Sequence, residues 1–234
     1  MTEENAAAET EKTRLLDAIK PHVPFDGWTD VSLRAAAEDL GTSMSEVRAI
    51  CPRGAVDLAL AFHAEGDAAM VARLQGMDMS TLRFRDKVVL AVRTRLEVVE
   101  DRELVRRGAT LFALPPYAAD GARALWRTVD LIWTTLGDTS RDFNWYTKRA
   151  TLSGVYGSTV LYWLGDDSLD QQRTWNFLDR RIEDVMRFEK LKASVKKMPG
   201  LGTLAEGAER VMSRVRAPME GDRTHLPGRW NTPG

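Results

Sequence analysis

Residues 143–165 carry apolar side chains on almost every face of a helix. Leu152, Val155, Tyr156, Val160, Leu161, Tyr162, Trp163 and Leu164 crowd one run, and no single stripe at the 3.6-residue period holds them all. A helix that is apolar all round must be enclosed by others, so this stretch predicts the central member of a helical bundle. The rest of the chain supplies the enclosure. A helix over about 82–100 lines up Val88, Val92, Leu96 and Val99, and another covers 102–114, ending before Pro115-Pro116. A third, over 119–136, stripes Leu125, Val129, Ile132 and Leu136, with Trp126 and Trp133 seven apart beside them. Residues 171–192 turn Trp175, Leu178, Ile182 and Val185 inward and Arg180, Arg181, Glu183 and Asp184 outward. No period-2 run appears, and Asp26-Gly27 lies between helix candidates, not between alternating segments. The fold class is all-α.

The N-terminal part has a different layout. Residues 1–10 are acidic and polar and are expected to be disordered. A first helix over 11–22 ends near Pro21 or Pro24. A second runs from Thr29-Asp30 to Leu40, where Gly41 stops it. A third opens at Ser43-Met44-Ser45-Glu46, a capping-box pattern, and ends at Pro52-Arg53-Gly54. A fourth covers about 54–75. Three short helices with a tight Gly turn before the third make a helix-turn-helix. Residues 11–65 resemble the N-terminal domain of TetR-type repressors.

Charge argues against DNA reading. From Trp28 to Arg53 the basic residues are Arg34, Arg48 and Arg53, and the acidic ones Asp30, Glu38, Asp39 and Glu46, a net of −1. Phosphate neutralisation supplies much of DNA affinity, and Glu46 on the third helix would oppose phosphates and most base edges. TetR-type repressors usually place lysine, tyrosine and histidine after the turn. Met44-Ser45-Glu46-Val47-Arg48-Ala49-Ile50-Cys51 has neither the tyrosine nor the histidine, so the motif reads as a fold relic, not a working DNA reader.

Catalytic patterns are lacking too. His22, His63 and His225 are far apart and in no metal-ligand spacing. The chain has no Glu-x-x-His pair, no Gly-x-Ser-x-Gly and no phosphate loop. Cys51, the sole cysteine, sits before Pro52 as a buried structural thiol and allows no internal disulfide. The reading is a binding protein, not an enzyme, without cofactor or metal. The N-terminus has neither secretory nor transit character, and no run approaches the roughly 18 apolar residues of a membrane span. The expected location is cytoplasmic.

The C-terminal segment differs from the whole. The chain's net charge is −1. Between Arg187 and Arg216 eight basic residues (Arg187, Lys190, Lys192, Lys196, Lys197, Arg210, Arg214, Arg216) face Glu189, Glu206 and Glu209, a net of +5. Leu201, Leu204, Val211, Met212 and Val215 recur at helical spacing over 193–216. Such a segment either lies on an anionic membrane surface or folds back on the bundle or a second subunit. Residues 217–234, rich in Pro and Gly, are expected to be disordered.

The central helix opens on Asp142-Phe143-Asn144-Trp145-Tyr146-Thr147-Lys148-Arg149, after a turn-like Gly137-Asp138-Thr139-Ser140. Neighbouring helical residues point about 100° apart, so Trp145 and Tyr146 cannot both face inward as one core pair. Either one ring is buried with the other half-buried, or the pair is an exposed anchor. This run, with Thr174-Trp175-Asn176-Phe177-Leu178-Asp179-Arg180-Arg181-Ile182, Gly27-Trp28-Thr29, Asp39-Leu40-Gly41 and Asp130-x-x-Trp133, resembles the ubiquinone-biosynthesis accessory proteins that stand ninth in the coenzyme Q series. The resemblance runs from about residue 15 to 216, and the acidic start looks like that of a bacterial member.

That resemblance implies a TetR-like, usually homodimeric protein. Its bundle, here 66–192, holds a hydrophobic cavity for an isoprenoid lipid or phospholipid. It implies presentation of a prenylated quinone intermediate to a di-iron hydroxylase at the inner membrane surface. The partner patch would comprise Asp130, Ile132, Asp142, Trp145 and Tyr146. The membrane helix would be that of Leu201, Leu204, Val211, Met212 and Val215. Trp126, Trp133, Tyr156, Leu161 and Trp163 are the candidate lipid contacts, where each methylene buried contributes roughly 0.8 kcal/mol; alternatively they simply fill the core. With the pair read as an exposed docking surface, Trp145→Lys is expected to weaken docking and leave the fold intact. The alternative function is a TetR-type lipid-responsive regulator.

Overall fold

The computed structural model describes residues 3–141 and 143–196, with side chains described over 8–141 and 143–187. Among the described residues the chain forms α1 (Glu3–Ile19), α2 (Val23–Asp26), α3 (Asp30–Leu40), α4 (Met44–Ile50), α5 (Ala55–Gln75), α6 (Phe84–Glu97), α7 (Arg102–Phe112), α8 (Ala118–Thr135), α9 (Phe143–Leu164) and α10 (Gln172–Lys196). A 3₁₀ turn, Leu169–Gln171, precedes α10. No strand occurs among these residues, as the all-α reading expects. The chain divides into two compact units, Met1–Ala69 with Val98–Ala124, and Met70–Glu97 with Leu125–Gly234.

The first unit contains the helix-turn-helix. Leu15, Leu16 and Ile19 of α1, Leu33, Ala36 and Ala37 of α3, Val47 of α4 and Leu58 of α5 close over one core. Cys51 is buried within it. The expected caps form. Thr29 accepts from the Val31 N–H, and Ser43 and Glu46 complete a reciprocal capping box. Gly41 takes a left-handed φ of 62° with open space around its absent side chain, so backbone conformation alone explains the glycine.

Two expectations need correction here. α1 begins at Glu3, so most of 1–10 is helical, not disordered; Ala6-Ala7-Ala8 between glutamates is strong helix-forming sequence. The short α2, with Pro24 in its first turn, lies where only a helix end was expected. Proline is tolerated there because its missing N–H would have no helical partner. Further along, the Trp28 indole donates to the Leu104 carbonyl at 3.1 Å, and Arg107 donates to the Pro24 carbonyl at 2.6 Å. These bonds tie α7 to the α2–α3 turn, so the Gly-Trp-Thr segment is an anchor of this unit.

In the second unit α9 buries one broad face but leaves Ala150, Thr151, Gly154, Leu161 and Tyr162 exposed, so the enclosed central helix expected from its apolar width is corrected to a helix with one side open. Trp145, Arg149, Leu152, Val155, Tyr156, Thr159, Trp163 and Leu164 are buried. Val88, Val92 and Leu96 of α6, Val129 and Ile132 of α8, and Trp175, Leu178 and Ile182 of α10 are buried in the same unit. α10 packs on both α9 and α6. Arg85 pairs with Asp179 at 3.1 Å, and Arg93 lies over the Trp175 ring at 4.8 Å.

Candidate functional site: a charge-paired aromatic cluster at the start of α9

The end of α8 sets the geometry. Gly137 adopts a φ of 81°, its N–H donates to the Thr134 carbonyl, and the Asp138 N–H reaches back to the Trp133 carbonyl at 2.9 Å. This double closure is a Schellman cap, which needs a left-handed residue at Gly137. It turns Asp138 towards the first turns of α9.

Arg149 fills the space so formed. Its side chain is 1% exposed. Nε donates to Asp130 Oδ1 at 2.6 Å, and Nη1 to Asp138 Oδ2 at 3.0 Å and to the Trp145 carbonyl at 3.3 Å. The guanidinium carbon stands 4.1 Å from the centroid of the Trp145 ring, a cation–π contact. Lys148 donates to Asp138 Oδ1 at 2.8 Å and to Ser140 Oγ at 2.7 Å. Two cations thus balance two carboxylates. Burial pushes the Asp138 carboxyl up, but hydrogen bonds from Lys148, Ser140 and Arg149 and the Lys148 charge outweigh it and bring its pKa down to about 2. The aromatic rings close the cluster. Trp145 lies 5.8 Å from Trp126 and meets Tyr146 edge-on at 4.8 Å, and Trp133 stacks on Phe84 at 5.6 Å.

The partner patch expected from sequence therefore has a different surface. Trp145 is 1% exposed and Ile132 is fully buried, and Asp130 is committed to Arg149. Tyr146 is half-buried and Asn144 exposed. Asp142 lies outside the described residues. The Trp145-Tyr146 pair is corrected from an exposed anchor to one buried ring and one half-buried ring. The reason is periodic: Trp145, Arg149, Leu152 and Tyr156 share the inward stripe of α9, and Tyr146 is rotated off it.

Of the candidate lipid contacts, Trp126, Trp133, Tyr156 and Trp163 are buried, whereas Leu161 is 68% exposed. Trp163 is two turns from Tyr156 and shares its stripe; Leu161 points about 200° away from Trp163. Leu161 is corrected to a surface residue. The candidate membrane residues Leu201, Leu204, Val211, Met212 and Val215, and the expected disordered tail at 217–234, lie outside the described residues.

Sequence reading missed Arg149, Asp138 and Lys148 as a cluster. A signal existed, since Arg149 falls four residues after Trp145 and three before Leu152 on the buried stripe. It missed Asp166 as well. This buried carboxylate accepts from the Thr174 N–H at 2.8 Å, the Thr174 hydroxyl at 2.6 Å and the Ser168 N–H at 2.9 Å. Burial raises its pKa, but bonds from Thr174 and Ser168 hold it well below the usual carboxylate range. Trp175 donates to the Asp170 carbonyl at 2.8 Å. Thr174-Trp175 thus fastens the start of α10. Among the described residues no group of three or more His, Cys, Asp or Glu could hold a metal ion, and no helix is long and apolar enough to cross a membrane.

Comparison with known proteins places these features. Residues 118–189, which contain Asp130, Asp138, Lys148 and Arg149 with Trp126, Trp133 and Trp145, match the COQ9 family model. The ubiquinone biosynthesis protein COQ9, mitochondrial, of Rattus norvegicus is 32% identical over 202 residues, covering 83% of this chain and 64% of the relative. The human protein of the same name is 30% identical, with 83% and 63% covered. The probable ubiquinone biosynthesis protein coq9, mitochondrial, of Dictyostelium discoideum is 28% identical over 199 residues, with 81% and 64% covered. The chain thus spans just under two thirds of the length of these relatives. In fold it is similar to a TetR transcriptional regulator from Nitrosomonas europaea, with a TM-score of 0.61 and 18% identity over 74% of this chain and 97% of that one. Over most of its length the chain is thus similar to COQ9 proteins, and its fold is TetR-like.

Proposed function

We propose that this protein acts in ubiquinone biosynthesis as a non-enzymatic lipid-binding component. It takes a prenylated quinone precursor from the membrane surface and presents it to a di-iron hydroxylase. The observation that carries the reading is the similarity to proteins named for ubiquinone biosynthesis, which extends over most of this chain. The aromatic walls of α8 and α9 support it. Trp126, Trp133, Tyr156 and Trp163 bring large apolar surfaces into one unit, as an isoprenoid site requires. The basic segment 193–216 is assigned to the membrane surface and a homodimer is the working assembly, with phospholipid as a second bound lipid.

Native mass spectrometry of the purified protein tests the lipid step. Co-purified isoprenoid or phospholipid is expected. Delipidated protein that repeatedly takes up no prenylated quinone overturns the reading.

The TetR-type regulator is the competing reading, favoured by the fold neighbour alone. The charges of α4 weigh against it. Glu46 is held in the capping box, and Arg48 donates to Asp30 at 2.9 Å, so neither is poised to read a base. A sequence-specific, salt-sensitive gel shift with the protein's own upstream DNA would establish that reading instead.

A further inference from the structure

We propose that the α8–α9 seam seats the neutral, oxygen-bearing head of an amphipathic ligand, with the indole N–H groups of Trp126 and Trp133 and the Ser153 hydroxyl as its donors. The inference rests on the lipid-binding reading above and names which part of the ligand these residues hold.

Buried tryptophan N–H groups normally find an acceptor. Trp28 and Trp175 do so, donating to the Leu104 and Asp170 carbonyls. Trp126 and Trp133 are 5% and 9% exposed, yet neither indole nitrogen has an acceptor among the described residues. Ser153 Oγ is likewise buried without a partner. Other hydroxyls of α9 behave differently: Ser158 donates to the Gly154 carbonyl at 2.8 Å and Thr159 to the Val155 carbonyl at 2.7 Å.

The three orphan donors belong to one helix pair. On α9, Arg149, Ser153 and Gly157 lie on one face at i, i+4 and i+8. Arg149 bonds to Asp130 of α8, and a side chain at Gly157 would stand 3.3 Å from Leu125 of α8. Ser153 therefore faces α8 between those two contacts. From the other side, the Trp126 ring lies 5.8 Å from that of Trp145 of α9, and the Trp133 ring, stacked on Phe84 of α6 at 5.6 Å, lies 5.4 Å from Lys148 Nζ of α9. Three donors between aromatic walls call for a ligand with several acceptors on an apolar body. The nearby charges are already paired, Arg149 and Lys148 with Asp130 and Asp138, so neutral acceptors fit better than a free phosphate or carboxylate. Ring carbonyl and ether oxygens of a prenylated quinone have that chemistry, as do the ester carbonyls of a phospholipid.

The test removes the donors without changing shape. Benzothienylalanine, a tryptophan isostere with sulfur in place of N–H, is introduced at 126 and 133, and Ser153→Ala is made separately. Titrations use a short-chain prenylated benzoquinone, the matching prenyl hydrocarbon and a short-chain phosphatidylcholine. Quinone affinity is expected to fall about tenfold in the double isostere, with hydrocarbon binding unchanged and the ligand-free melting temperature unchanged or raised. Loss on the phosphatidylcholine arm instead keeps the donor set and assigns the head to phospholipid. Wild-type binding of quinone and phosphatidylcholine that survives both variants overturns the inference while leaving the lipid reading standing. A wild-type protein that binds none of the probes overturns that reading as well.

Discussion

The Arg149 guanidinium meets the Asp138 carboxylate at 3.0 Å with both side chains nearly closed to solvent. Asp130 completes the pairing on the other edge of the guanidinium at 2.6 Å. The first turns of α9 are thus registered against α8 and the Gly137 turn by charge as well as by packing.

Removing one member of a buried ion cluster leaves the others uncompensated. Arg149→Met is expected to destabilise the protein by about 3–5 kcal/mol, since two carboxylates lose their partner in a poorly solvated site. Arg149→Lys should recover little, because an ammonium cannot reproduce the fork that spans Asp130, Asp138 and the Trp145 carbonyl. Urea unfolding followed by tryptophan fluorescence measures both; a loss under 1 kcal/mol in Arg149→Met would show that the cluster is energetically neutral.

Acid should release the same cluster. The Asp138 pKa is lowered from 3.8 to about 2 in the folded state. A depressed carboxylate contributes stability that is present above its unfolded pKa and lost as pH falls through its folded one. The contribution, at most about 2 kcal/mol, is expected to disappear between about pH 4 and pH 2. Asp166, shifted in the same direction, loses its contribution as pH falls further. Asp138→Asn should be less stable at neutral pH and should show a shallower loss over the pH 4 to 2 window. Chemical denaturation at stepped pH checks the slope.

Much of this was legible in the sequence because helices announce themselves locally. The capping box at Ser43 and Glu46 and the Gly41 stop follow from residues within one or two turns of each other. The cluster was less legible because its partners sit on different elements: Asp130 on α8, Asp138 in the turn and Arg149 on α9. Charge in a helix normally marks the solvated face, and only the stripe shared by Trp145, Arg149 and Leu152 marks Arg149 as buried. Leu161 failed for the opposite reason: a run apolar on every side hides which member faces out.

The burial of Trp145 changes what its substitution reports. Trp145→Lys was expected to spare the fold, but it places an ammonium at a site that is 1% exposed and removes the ring beneath Arg149. A loss of about 3–5 kcal/mol is expected from the large-to-small change and the unpaired charge, so any loss of partner binding would reflect misfolding. Tyr146→Ala at the half-buried edge should cost only about 1 kcal/mol. It is the better probe of the proposed hydroxylase docking: weakened pull-down with a preserved melting curve supports the proposed partner patch, and unchanged pull-down refutes it.

The last prediction concerns the second anchored motif. Asp166 accepts from the Ser168 N–H and from both the N–H and the hydroxyl of Thr174 in the first turn of α10. The connecting residues Asp170 and Gln171 both sit at a φ of 52°, an uncommon region for side-chain-bearing residues and one that surrounding contacts must hold in place. The Trp175 indole bonded to the Asp170 carbonyl is such a contact. Asp166→Ala removes the shared acceptor and leaves the Thr174 N–H and hydroxyl buried without it. The expected cost is about 2–3 kcal/mol, with fraying that starts at the N-terminal end of α10. Asp166→Asn keeps one acceptor oxygen and should cost about half as much. Hydrogen exchange separates local from global effects. Faster exchange at Thr174 and Trp175 with unchanged protection of Leu152 and Val155 is expected; equal acceleration at all four would show that the motif supports the whole unit instead of the start of α10.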